Sequence, residues 1–215
     1  AGGLNVKIVD ASTKGGKILS ITLEDAKSVG AQSHCAVEAK VFIDATYEGD
    51  LLARAGVSYT VGRESNKTYG ETYNGVQMPR YHYFKDAVDP YVVPGKKSSG
   101  LLYGINKGKR GDIGAGDKKV QAYNFRICLT DREDNLVPIT KPENYDPSKY
   151  ELLLRWKEVQ PWRRLQDIFI WSMMPNRKTD INNYGAFSTD MIGANWGYPE
   201  ASYEERERII KAHEE

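Results

Sequence analysis

Val41-Phe42-Ile43-Asp44-Ala45-Thr46-Tyr47-Glu48-Gly49-Asp50-Leu51-Leu52-Ala53-Arg54-Ala55-Gly56-Val57 is the stretch whose reading decides the fold. An apolar run stops at Asp44-Ala45-Thr46, crosses Gly49 and opens into a segment with helical spacing. Open α/β sheets place their ligands at the carboxyl ends of strands, where such a turn leads into a helix. Ala45 and Gly49 are small enough for backbone to approach a ligand, and Thr46 offers a hydroxyl. Amides at a helix start, here near Asp50, bind phosphate. An ordinary strand–turn–helix corner uses the same residues. Leu51, Leu52 and Ala55 make the inward face of the helix, and Gly56 is placed to cap it.

Upstream, residues 5–11 and 17–23 alternate around Thr13-Lys14-Gly15-Gly16, which predicts a β-hairpin. Residues 24–33 are polar and turn-like. Residues 34–46 read as one long strand, alternating at first and continuously apolar at Val41-Phe42-Ile43, as in a sheet buried on both faces. Downstream, 57–61 reads as a strand, and 62–124 is rich in Gly, Tyr, Pro and Lys. Residues 88–95 are extended because Asp89 and Val93 precede prolines. Residues 120–130 read as a strand, 147–159 as a helix with Trp156 in its core face, 172–199 as loop and 203–215 as a charged helix with a solvated surface. The change of pattern places a boundary near 57–62.

The chain has 215 residues, 40% hydrophobic and 27% charged, enough for one or two domains with a core. A formal net charge of +1 gives no global field for nucleic acid or anionic lipid. The cluster Lys107-Gly108-Lys109-Arg110 is short and glycine-broken, and reads as a solvated loop. Cys35 and Cys128 lack metal-ligand spacing, so no metal site is expected, and both read as buried free thiols, with a disulfide left open. No apolar run reaches the roughly 20 residues that span a bilayer, and no signal peptide is read.

Ordered blocks extend the pattern of the opening segment. They are Gly62-Arg63-Glu64-Ser65, Val88-Asp89-Pro90-Tyr91-Val92-Val93-Pro94-Gly95, Ser99-Gly100-Leu101-Leu102, a block from Val120 to Thr130, and Lys178-Thr179-Asp180-Ile181-Asn182-Asn183-Tyr184-Gly185 with its continuation to Asp190. Together with Asp44-Ala45-Thr46-Tyr47-Glu48-Gly49-Asp50-Leu51 they resemble a family of FAD-dependent oxidoreductases, some of whose members carry the label xanthan lyase. The resemblance covers nearly the whole chain. It departs from the family at two points: no GxGxxG opens a helix, the glycine-rich 108–116 segment having no strand before it, and the family continues past residue 215 to finish the flavin domain, so this piece alone is not expected to bind FAD tightly.

The resemblance implies an α/β (mixed α+β) fold. Residues 1–57 would be the C-terminal part of a flavin-domain half, a partial FAD-binding Rossmann-like domain with the hairpin. Residues 58–215 would be part of a mixed α+β substrate domain, and the chain an internal fragment of the flavoprotein. FAD would be the cofactor, contacted by Asp44, Ala45, Thr46, Gly49 and Asp50, and would remove hydride from a carbohydrate-like substrate. The expected partners are a small-molecule or carbohydrate substrate and either the remainder of the flavoprotein or a second copy of the chain. The alternatives are a xanthan-type polysaccharide lyase and a non-catalytic binding or assembly module.

Arg126 lies between Phe125 and Ile127, where a guanidinium must find a partner or reach a cleft; it reads equally as a catalytic cation or as half of an ion pair. His82 reads as a proton-transfer group or as a packed ring among aromatics. Asn182 and Asn183, with Arg63, read as substrate-binding groups, since asparagines beside aromatics suit hydroxyl-rich ligands; loop turns use them too.

Overall fold

The computed structural model describes residues 5–26, 34–78, 83–124 and 126–214. The chain divides into two compact units, Ala1–Thr60 and Val61–Glu215. Strands and helices are mixed in it, as expected, and every strand pairing among the described residues is antiparallel.

In the first unit β1 (Val6–Lys14) and β2 (Lys17–Asp25) form the expected hairpin. Gly15 and Gly16 have φ of 57° and 76°. Two consecutive positive φ values are what a two-residue turn needs to match the strands' right-handed twist. The imperfect alternation at Ile8 and Val9 is a bulge, since Ile8 faces Leu23 and Asp10 faces Thr22, which leaves Val9 over. Lys7 faces Glu24 and pairs with it at 3.5 Å. β3 (His34–Glu38) adds to β2 in the order β1-β2-β3. It ends eight residues short of the expected strand. Val41 and Ile43 are 72% and 84% exposed, and no strand pairs with them among the described residues. A continuous apolar run is buried only where neighbouring strands cover it, which its own sequence does not determine.

α1 (Asp50–Arg54) follows, with Leu51 buried but Leu52 exposed. Its end is a Schellman motif: the Gly56 amide donates to the Ala53 carbonyl at 3.1 Å and the Val57 amide to the Leu52 carbonyl at 3.2 Å. Gly56 makes this possible at φ 75°. Residues 57–61 join no strand and are mostly exposed, against expectation.

The second unit contains α2 (Asn66–Tyr69), α3 (Glu151–Val159), β4 (Phe169–Met174), β5 (Lys178–Asn183) and α4 (Tyr203–Glu214). Its buried apolar residues are Val76, Leu102, Trp156, Ile168 and Ile181. Trp156 sits on α3 as expected, its Nε1 donating to Gln160 Oε1 at 2.8 Å and its ring meeting Phe84 edge-on. The β4–β5 hairpin overturns the loop reading of 172–199. Its turn carries Asn176 and Arg177 at φ 62° and 56°. Pro175-Asn176 between β-prone runs was the sequence signal. Residues 120–130 are not a continuous strand. Their backbone pairs with β5 as isolated bridges, Ile127 opposite Ile181 and Thr130 opposite Lys178. Cys35 and Cys128 are both exposed and free, so the buried-thiol reading fails: β3 pairs on one side only, and Cys128 lies in this irregular edge segment.

Long loops dominate this unit, and arginines tie them. Arg155 on α3 donates to the Tyr91 carbonyl at 2.6 Å, to Asp89 at 3.1 Å and to Val92 at 3.2 Å. It thereby satisfies carbonyls that no sheet partner reaches.

Candidate functional site

In the first unit the Asp44 carboxylate organises the segment before α1. One oxygen accepts from the Thr46 amide at 3.0 Å and the Thr46 hydroxyl at 2.6 Å. The other accepts from the Leu52 amide at 3.2 Å. The Gly49 amide in turn donates to Thr46 Oγ1 at 3.0 Å. Partial burial alone would push the Asp44 carboxyl up. The bonds from Thr46, Leu52 and Leu51 outweigh that and hold it below its ordinary value. Gly49 sits at φ 66°, a conformation L side chains rarely adopt, and Ala45, Thr46 and Tyr47 are exposed. The five expected cofactor residues therefore form one small, preorganised loop.

The second unit holds a cleft of about 930 Å³. One wall is the end of β5, with Asn182 and Asn183; another is the segment at 119–124; the rest comes from Arg63, Ile170 and the loops at 106–110 and 185–196. These walls are pinned to one another. Asn124 Nδ2 donates to Asn182 Oδ1 at 2.9 Å. Asn106 Nδ2 donates to the Ile192 carbonyl at 3.0 Å. Asn195, wholly buried, donates to the Gln121 carbonyl at 2.9 Å. Gly185, at φ 90°, lies against Trp156; a Cβ there would stand 3.3 Å from the indole. Val120, Ile170 and Ile192 give the cleft apolar lining, beside the Trp196 ring and amide side chains. Apolar walls with a few fixed polar groups are the usual make-up of a small-molecule site.

Asn182 and Asn183 are thus brought into one cleft with Arg63. Arg63 forks onto Asp117, Nε to Oδ1 at 2.9 Å and Nη2 to Oδ2, an arrangement that raises the guanidinium's pKa and lowers the carboxyl's. Arg126 forks in the same way onto Asp180, with Nε to Oδ1 at 2.7 Å, and does not line the cleft. Of its two sequence readings, the structure places it in the ion pair. His82 lies outside the described residues. The basic loop with Lys107, Lys109 and Arg110, read from sequence as solvated, forms part of the cleft wall, as do Lys119 and Trp196. The cation density at 107–110 was the available signal; which way the loop turns was not in the sequence.

The family model described as FAD dependent oxidoreductase matches residues 3–215. The chain belongs to this FAD-dependent oxidoreductase family. No curated protein and no solved structure matches it. Membership brings a Rossmann-like fold, oxidoreductase chemistry and FAD as the cofactor. In the 44–50 loop Ala45, Thr46 and Tyr47 are exposed and Gly49 takes a positive φ. The Leu52 amide, near the helix start, is already taken by Asp44 and so is not open to a phosphate. Among the described residues no group of three or more side chains is arranged to hold a metal ion, and no helix is long and apolar enough to cross a membrane.

Proposed function

We propose that the chain serves a flavin-dependent oxidation of a carbohydrate-like substrate, with residues 1–57 as part of the flavin domain and 58–215 as part of the substrate domain. In this reading Ala45, Thr46 and Gly49 contact the cofactor's hydroxylated portion, Asp44 holds the loop in shape for it, and Asp50 meets the cofactor from the start of α1. FAD, when bound, supplies the hydride acceptor. The chain's own residues bind and orient. Asn182 is fixed by Asn124 and by the Asn183 amide, so its side chain presents a defined face to a sugar hydroxyl. Arg63, held by Asp117, offers a preset guanidinium edge rather than a mobile charge.

The observation that carries this reading is the pinned amide- and tryptophan-lined cleft within a chain of this family. The test is the visible absorption spectrum of the purified chain after dialysis against FAD, with intact mass measured on the same sample. A retained flavin band, bleached anaerobically by a sugar and lost more slowly in Asn182→Ala, is the expected result. A chain that holds no flavin under any loading condition refutes it.

A further inference from the structure

Beyond its amides, the cleft of the second unit is strongly one-sided in charge. Arg63, Lys107, Lys109, Arg110 and Lys119 line it against one carboxylate, Asp190. Asp117 pairs with Arg63 and also attracts Lys119, which leaves Lys107, Lys109 and Arg110 without a carboxylate on walls whose one lining acid is Asp190. The chain as a whole carries a formal net charge of only +1, so the excess is a local arrangement. Lys107 and Lys109 form no ion pair among the described residues. Arg110 leans on the Met78 sulfur and forms no ion pair among the described residues, while Lys119 stands 4.6 Å over the Trp196 ring and shares the Asp117 carboxylate with Arg63.

Gathering like charges on the walls of one cleft is unfavourable, and the protein fixes the arrangement nonetheless. Asn106, immediately before Lys107, is bonded to the Ile192 carbonyl. Gly193, at φ 93°, lets that contact form, since a Cβ there would lie 2.4 Å from Asn106 Oδ1. The like charges on these walls repel one another. What relieves that repulsion is an anion.

We propose that this cleft binds a hydroxylated oxyanion, a sugar acid or a sugar phosphate. Its charged group meets Lys107, Lys109 and Arg110, and its hydroxyls meet Asn182 and Asn183. The proposal rests on the reading of the cleft as the substrate site and adds the charge of the substrate to it.

The test titrates the chain with a galacturonate disaccharide, the neutral galactose disaccharide, galactose 6-phosphate and ADP, read by tryptophan fluorescence and calorimetry. The acid or the phosphate should bind at least about tenfold tighter than the neutral sugar, the sum of a few ion pairs each worth a factor of a few. The advantage should collapse in roughly 1 M salt, where the Debye length falls to about 3 Å. Lys107→Ala/Lys109→Ala should remove most of it, and Lys141→Ala, outside the cleft lining, should not. Equal binding of acid and neutral sugar overturns the proposal. So does preference for ADP over both sugar anions, which would assign the cleft to the dinucleotide. Flavin content of the same samples separates the two readings. Charge-selective binding without flavin supports the oxyanion cleft and refutes the flavoenzyme reading for this chain. Flavin without charge selectivity does the reverse.

Discussion

Replacing Arg206 should unfasten the C-terminal helix and loosen one wall of the cleft. This arginine sits on α4 within a run of charges that looks solvated, yet it is only 6% exposed. Its Nε donates to the Tyr198 carbonyl at 3.1 Å and its Nη2 to the Pro199 carbonyl at 2.7 Å. Its guanidinium lies 5.4 Å and 5.5 Å from the Tyr198 and Tyr203 ring centres. The fork holds the 3₁₀ turn Tyr198–Glu200 in place. That turn begins where the Tyr198 amide donates to the Asn195 carbonyl, on either side of Trp196 in the cleft wall. Two hydrogen bonds from a charged donor contribute about 1.5–3 kcal/mol each, and the ring contacts about 0.5–2 kcal/mol, less what water recovers at the freed carbonyls. Arg206→Ala should therefore cost about 3–5 kcal/mol, a large part of the 5–15 kcal/mol typical of a domain. Arg206→Lys keeps the charge but lacks the planar fork and should cost about half as much. Arg206→Met keeps the apolar stem and removes the carbonyl bonds and the guanidinium's ring contacts together. Urea unfolding followed by far-UV circular dichroism gives the energies, and Trp196 fluorescence reports the wall. The reasoning fails if Arg206→Ala costs less than about 1 kcal/mol, the size of an ordinary surface change, or if Arg206→Met is as stable as the parent.

Gly62 has φ 104°, and a Cβ there would lie 2.2 Å from the Asp117 carbonyl oxygen; Gly62→Ala should cost about 3 kcal/mol or more in urea unfolding. Gly15→Ala, with positive φ but open space, should cost only about 1–2 kcal/mol; equal costs would show that the close approach carries nothing. The Asp44 carboxyl is held below its ordinary value in the folded chain. Its bonds therefore stabilise the 44–52 loop above about pH 4 and are lost as pH falls through the lowered value. A Thr46 amide resonance that titrates at or above the ordinary carboxyl midpoint, or an unchanged acid profile in Asp44→Asn, would contradict this.

The sequence made the local devices legible. Gly15-Gly16 specifies its turn, Gly56 its helix cap and Trp156 its buried helix face, because each depends on neighbours a few residues away. The errors came where burial depends on distant partners. Val41 to Ile43 reads as a buried strand, but an apolar run states only a preference, and no described strand covers it. The β4–β5 hairpin was missed because aromatics and asparagines spread over 169–184 resemble loop composition, while its turn rests on two non-glycine residues at positive φ. Arg206 was read with its charged neighbours as solvated. Helical spacing gives the face a residue occupies, not the loop that folds back over it.

The cations of the second unit explain why the site was harder to read than the fold. Arginine and lysine contribute the same charge to a sequence but different geometry to a structure. Here Arg63, Arg126 and Arg177 are spent on carboxylates that lie 46 or more residues away in sequence, and Arg155 and Arg206 on loop carbonyls. The planar fork makes each a two-point tie, which suits a unit whose loops have few sheet partners. Lysine makes a poor tie and a good point charge, and the lysines at 107 and 109 remain without carboxylates in the cleft wall. A sequence reading that looks for an arginine amid apolar residues therefore finds the structural cations first. The cations without a carboxylate sit in the glycine-broken loop, whose placement depends on Asn106 and Gly193 meeting across 87 residues of chain, as the Asn106–Ile192 bond does across 86.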